Sequence, residues 1–79
     1  MNQREYTYTI ILDPDLDEGG YTVTVPALPG CVTQGETLEE AIAMAEDAIR
    51  GYIESLLKDG EPIPEEREPP RLITVKVAA

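Results

Sequence analysis

The chain has 79 residues and contains no histidine, no tryptophan and no phenylalanine. Without an imidazole there is no general base poised near neutral pH, and no Ser-His-Asp or Cys-His arrangement can form. A single cysteine, Cys31, allows no internal disulfide and no thiolate zinc site, which favours a reducing compartment. Basic residues are also scarce. Six Lys and Arg stand against sixteen Asp and Glu, a formal net charge of −10. Such a surface repels phosphate backbones, so direct nucleic-acid binding is not expected and a charged partner would be basic. No apolar run approaches the ~18 residues that suggest a membrane helix, and the N-terminus lacks the apolar core of a signal peptide. The expectation is a cytoplasmic protein with no membrane partner, built as one domain over residues 1–79. A chain of this size sits near the lower limit for a self-sufficient core, so oligomerisation would help it.

What the chain does have is one strong helical stretch between Thr37 and Gly60. Thr37 followed by Glu40 is a capping-box pattern, in which each side chain satisfies a backbone N–H of the first turn. Leu38, Ala41, Ile42, Ala45, Ile49, Tyr52, Ile53 and Leu56 then recur at helical spacing and predict a core-facing stripe. Glu46 with Arg50 and Glu54 with Lys58 are acid-before-base pairs at i,i+4 on the outer side. Gly51 interrupts that outer face and reads as simply tolerated. Gly60 offers a C-cap, and Pro62 prevents easy continuation.

The flanking segments read as strands. Met1–Glu5 is polar and expected to fray. Tyr6–Leu12 alternates aromatic and β-branched residues, as does Tyr21–Val25, and Cys31–Gln34 forms a short third strand closed by Gly35. Asp13–Gly20 is an acidic hairpin connection, and Pro29-Gly30 fits the centre of a type II turn. Asp59–Pro70 holds four of the seven prolines and reads as a stiff acidic connection, pinned by Ile63. Leu72–Val77 predicts a fourth strand, with Ile73, Val75 and Val77 on one face and Lys76 guarding an edge. The resulting fold class is α+β in the order β-β-β-α-β. It consists of an antiparallel three-stranded meander, a fourth strand parallel to the first (spatial order 3-2-1-4), and one helix on the sheet.

Catalytic chemistry finds little support. Asp13, Asp15 and Asp17 have the spacing that opens an EF-type calcium loop, but Glu18 stands where glycine is needed and Thr24 where the bidentate glutamate is needed. The acids lie in loops and on the outer helix face, which suits a metal-dependent nuclease poorly. Four tyrosines could stack on bases, but the basic groove of a single-strand binder is missing. Cys31, with no basic neighbour, reads as a small buried hydrophobe. No cofactor or metal is expected.

The run Gly19-Gly20-Tyr21-x-Val23-x-Val25-Pro26-x-Leu28-Pro29-Gly30-Cys31-x-Thr33-x-Gly35-x-Thr37-x-Glu39-Glu40-Ala41, with Asp59-Gly60-Glu61-Pro62-Ile63-Pro64 after it, closely resembles the signature of HicB-like antitoxins of type II HicAB toxin–antitoxin systems. The resemblance runs from Tyr8 to about Val77. It implies a partial ribonuclease-H-like fold without the nuclease's catalytic carboxylates, and a basic HicA-like ribonuclease toxin as partner, occluded by contact. It also implies a short form. Longer members continue into a DNA-binding domain, whereas this sequence is expected to end after its fourth strand and to leave operator binding aside. Asp13, Asp15, Asp17, Glu18, Glu61, Glu65 and Glu66 are the candidate partner-binding residues, and a homo-oligomer (dimer or tetramer) is expected. The alternative is an orphan oligomeric interaction domain without a toxin.

Overall fold

Four elements form in the computed structural model, which describes residues 4–79: β1 (Ile11–Pro14), β2 (Tyr21–Thr24), β3 (Val32–Gly35) and α1 (Leu38–Lys58). The strands make one antiparallel sheet in the order β1-β2-β3. Leu12 faces Val23 across the first pair, and Val23 faces Thr33 across the second. β2 is therefore central, and β1 and β3 are edges.

The turns follow from local chemistry. The Asp15 amide donates to the Gly20 carbonyl at 2.9 Å, and the Asp15 carboxylate accepts the Asp17 and Glu18 amides at 3.0 and 3.1 Å. This is an aspartate closing its own turn. Between β2 and β3, the Cys31 amide donates to the Leu28 carbonyl at 3.0 Å while Gly30 sits at φ +81°. That is the expected type II turn, whose third position requires positive φ. The helix side clamps it, because the Tyr52 hydroxyl donates to the Pro29 carbonyl at 2.8 Å.

The helix begins and ends where its sequence says it should. Thr37 Oγ1 accepts the Glu40 amide at 3.0 Å. The Glu40 carboxylate reaches one residue beyond a standard capping box and accepts the Glu36 amide at 3.0 Å. At the other end, Glu61 N–H bonds the Leu56 carbonyl and Gly60 N–H bonds the Leu57 carbonyl, the two bonds of a Schellman stop.

Two small clusters hold the helix on the sheet. Val23, Ala41 and Ala45 form one, with Ile10, Leu12 and Tyr21 packed around them. Val25, Leu28 and Cys31 form the other, joined by Tyr8, Ala48, Ile49 and Tyr52. Val23 of β2 and Val25 just beyond it face the helix, so the threonine side is turned away. Gly35 permits the close approach. A Cβ there would lie 2.5 Å from Ala41 Cα and 2.9 Å from the Glu40 carbonyl carbon. The helix meets the sheet through alanines over a glycine, and the buried side chains among the described residues are six small or medium apolar ones.

Several expectations are corrected. The fourth strand is absent: residues 71–79 form no secondary structure and are exposed. The physical reason lies just upstream. Glu66 accepts both Thr9 N–H and Thr9 Oγ1 at 2.6 Å, so a carboxylate occupies the edge donor that a fourth strand would use. Pro69 and Pro70 then supply no N–H and steer the chain off the body. The fold is β-β-β-α, not β-β-β-α-β. The first strand is paired only over Ile11–Pro14 instead of Tyr6–Leu12, because its partner ends early. Ile11 faces Thr24, after which the Val25 amide turns to the Cys31 carbonyl and Pro26 has no amide to offer.

On the helix, the predicted stripe is narrower than its sequence. Leu38 and Ile42 are exposed, as are Met44 and Leu57. The expected Glu46–Arg50 and Glu54–Lys58 pairs do not form. Arg50 instead bonds Asp47 at 2.9 Å, an i,i+3 pair. Expected fraying at Met1–Gln3 lies outside the described residues. Arg4 is held, pairing with Glu65 at 2.9 Å and lying 5.4 Å from the Tyr6 ring centroid.

Candidate partner-binding surface

The antiparallel register brings distant acids together. Tyr21 faces Gly35 across β2 and β3, so the β1–β2 hairpin loop lies beside the β3–α1 junction. Asp15 and Glu18 from the first and Glu36 and Glu40 from the second line one shallow depression of about 330 Å³. Its other lining residues are neutral; none is basic. Asp13 and Asp17 lie exposed in and beside the same hairpin. Asp15 is turned inward onto the Asp17 and Glu18 amides, which explains the spacing of acids here as turn chemistry rather than cation chelation. Among the described residues, no group of three or more His, Cys, Asp or Glu is arranged to hold a metal ion.

The remaining candidate acids lie apart from this group. Glu65 pairs with Arg4, and Glu66 is spent on Thr9. The two therefore bind the proline-rich segment to residues 4–9, an attachment completed by the Tyr8 hydroxyl donating to the Pro64 carbonyl at 2.5 Å. Glu61 is exposed, just past the helix stop. Sequence reasoning missed Glu36 and Glu40 as members of the acidic end. The signal was present in pairing Gly20-Tyr21 with Gly35 across a hairpin register, which places Glu36 next to the first loop.

Electrostatics elsewhere are structural. Burial pushes the Cys31 thiol above its ordinary pKa, so it is held protonated among Val25 and Leu28. Tyr6 and Tyr8 stack with ring centroids 6.5 Å apart and planes 9° from parallel. They line one wall of an open groove of about 820 Å³, whose other wall is Ile49, Ile53 and Leu57 of α1.

The arrangement offers a charged contact surface. Residues 8–75 match the HicB-like antitoxin family of bacterial toxin–antitoxin systems. The chain belongs to that family. HicB-like antitoxins are not enzymes, and this chain acts in a toxin–antitoxin system without a catalytic step of its own. A UPF0150 protein of Thermoplasma acidophilum is 56% identical over 72% of this chain and 81% of its own length. Another from Synechocystis is 49% identical over 77% of this chain and 76% of its own length. The antitoxin HicB of Escherichia coli K12 is 40% identical over 72% of the chain, a match that covers 41% of that protein. The HicB-like motif residues have structural jobs here. Gly30 sets a turn, Gly35 admits the helix, and Thr37 with Glu40 starts it. The motif therefore reports the fold. No helix among the described residues is long and apolar enough to cross a membrane.

Proposed function

We propose that this HicB-like chain neutralises a small basic ribonuclease of the HicA type by covering its active site, with the acidic end at Asp13–Glu18 and Glu36–Glu40 as the principal contact surface. The observation that carries the reading is the convergence of Asp15, Glu18, Glu36 and Glu40 on one depression with no basic residue in it. Relatives named as HicB antitoxins are 40–46% identical over 72% of the chain. Charge of one sign facing charge of the other speeds encounter and disfavours wrong partners. Glu61 adds to the field. Glu65 and Glu66 contribute less, since each is already paired within the chain. The same net charge keeps the protein from touching nucleic acid directly. The chain further self-associates as a dimer or tetramer, which compensates for a core of six buried apolar side chains among the described residues.

The test is a binding titration against a HicA-type toxin at several salt concentrations. Asp17→Lys, Glu18→Lys and Glu36→Lys are combined in one variant, because Asp15 and Glu40 have turn and cap roles. Affinity is expected to fall about 10–100-fold, with a shallower salt dependence. Unchanged affinity and an unchanged salt slope, with the fold intact by circular dichroism, would remove the acidic end from the interface.

A further inference from the structure

Among the described residues, the C-terminal arm holds the longest run of exposed apolar side chains. Leu72, Ile73, Val75 and Val77 are 86, 71, 75 and 79% exposed. They sit in a strand-patterned run that forms no secondary structure and pairs with no strand. Free backbone donors with alternating β-branched side chains are the ingredients of an edge strand awaiting a partner. The arm stands well off the body. The radius of gyration is 15.1 Å and the longest dimension 55 Å, against a radius of about 12 Å for a compact chain of this length. Pro69-Pro70 forms its base, and the Glu66–Thr9 contact fills the nearest edge of its own sheet.

The body carries a matching vacancy in its chemistry. The groove between Tyr6 and Tyr8 on one side and Ile49, Ile53 and Leu57 on the other is open and largely apolar. Its rim carries Glu46 and Glu54, which have no ion-pair partner among the described residues, while the rim arginines Arg4 and Arg50 are already paired with Glu65 and Asp47.

Charge selects the occupant. Arg71 and Lys76 make the stretch 71–77 carry +2 with no acid in it, so residues 1–70 hold the other four basic residues and all sixteen acids, a net of −12. A basic, apolar arm is complementary to a second copy of this acidic body and repelled by a basic toxin. We propose that two copies exchange arms, each laying Leu72–Val77 into the other's groove, with Ile73, Val75 and Val77 against Ile49, Ile53 and Leu57 and Lys76 toward Glu46 or Glu54. The exchange is reciprocal and closes on itself as a two-fold dimer. It names the surface of the self-association proposed above and does not depend on toxin binding.

Analytical ultracentrifugation of the full chain tests this with two variants, an arm variant (Ile73→Asp with Val75→Asp) and a groove variant (Ile53→Asp). Each alone is expected to dissociate at least about a hundredfold more readily than the parent. Because one retains a good groove and the other a good arm, mixing them is expected to restore a one-armed heterodimer. A monomeric parent at about 100 μM would overturn both self-association and exchange. Oligomers that persist in the arm variant would keep self-association and overturn the exchange. Failure of the mixture to complement, with both variants folded by circular dichroism, would likewise overturn it. So would an arm variant that dimerises normally but no longer binds a basic ribonuclease, since the arm would then belong to that partner.

Discussion

Replacing Gly35 with alanine puts a methyl group where the backbone of α1 already is. The new Cβ would lie 2.5 Å from Ala41 Cα and 2.9 Å from the Glu40 carbonyl carbon, against about 3.5–4.0 Å for carbon atoms in comfortable contact. Both obstacles are main chain, so no rotamer change relieves them and the helix must retreat by about 1 Å. That retreat loosens Ala41 and Ala45 from Val23, the whole of one core cluster. Overpacking costs about 1–3 kcal/mol in general, and a backbone obstacle puts this case near about 3. Natural domains hold roughly 0.05–0.15 kcal/mol per residue. With six buried apolar residues this protein belongs near the bottom of that range, so Gly35→Ala removes most of its margin. The melting midpoint is expected to drop by about 12–24 °C. Urea denaturation by far-ultraviolet circular dichroism, repeated at two protein concentrations to separate folding from association, is the assay. Gly51→Ala is the matched control. It is the same chemical change on the same helix, but nothing lies within 4 Å of the added carbon. It is expected to stabilise by up to about 1 kcal/mol through helix propensity. A Gly35→Ala loss below about 0.5 kcal/mol would refute the close-approach reasoning, because no overpacked backbone contact should be that mild.

Other perturbations read separate parts of the structure. Thr37→Ala removes the acceptor of the Glu40 amide and should cost about 1 kcal/mol in the same denaturation assay. Leu28→Ala empties the centre of the second cluster, where the side chain is fully buried, and should cost about 2–5 kcal/mol. Burial, followed by the charges of Tyr6, Glu65 and Glu66, holds the Tyr8 hydroxyl above its ordinary pKa of about 10. Its folded value is the raised one, so its contribution is fully present below about pH 10 and is lost as pH rises through the folded value. Alkaline unfolding followed alongside tyrosinate absorbance should show this, and Tyr8→Phe should flatten that part of the profile.

Much of this architecture was legible in the residues because local signals and tertiary demands agreed. Thr37 with Glu40, Gly60 and Pro62 bounded the helix, and Pro29-Gly30 set its turn. Legibility failed where one segment's fate depended on another's. Leu72–Val77 has the composition of a strand, but Glu66 takes the Thr9 amide beside it and two prolines redirect it, neither of which periodicity reports. The helix stripe was overestimated at Leu38 and Ile42, which flank the Ala41–Gly35 contact and stay exposed, because the close approach through alanines buries only a narrow strip of the helix. At the acidic end, Asp13–Glu18 was visible as a charged loop. Glu36 and Glu40 join it only through the β2–β3 register. Glu65 and Glu66 looked alike in sequence, yet both turned out to be internal fastenings.

The most direct measurement is a neutralisation titration, in which the chain is added to a HicA-type ribonuclease and RNA cleavage is followed to its end point. Loss of cleavage at a fixed stoichiometry, reversed by the Asp17→Lys, Glu18→Lys, Glu36→Lys variant's weaker binding, is the expected result. Full cleavage at a large excess of the folded chain would contradict the claim that it silences such a toxin by contact.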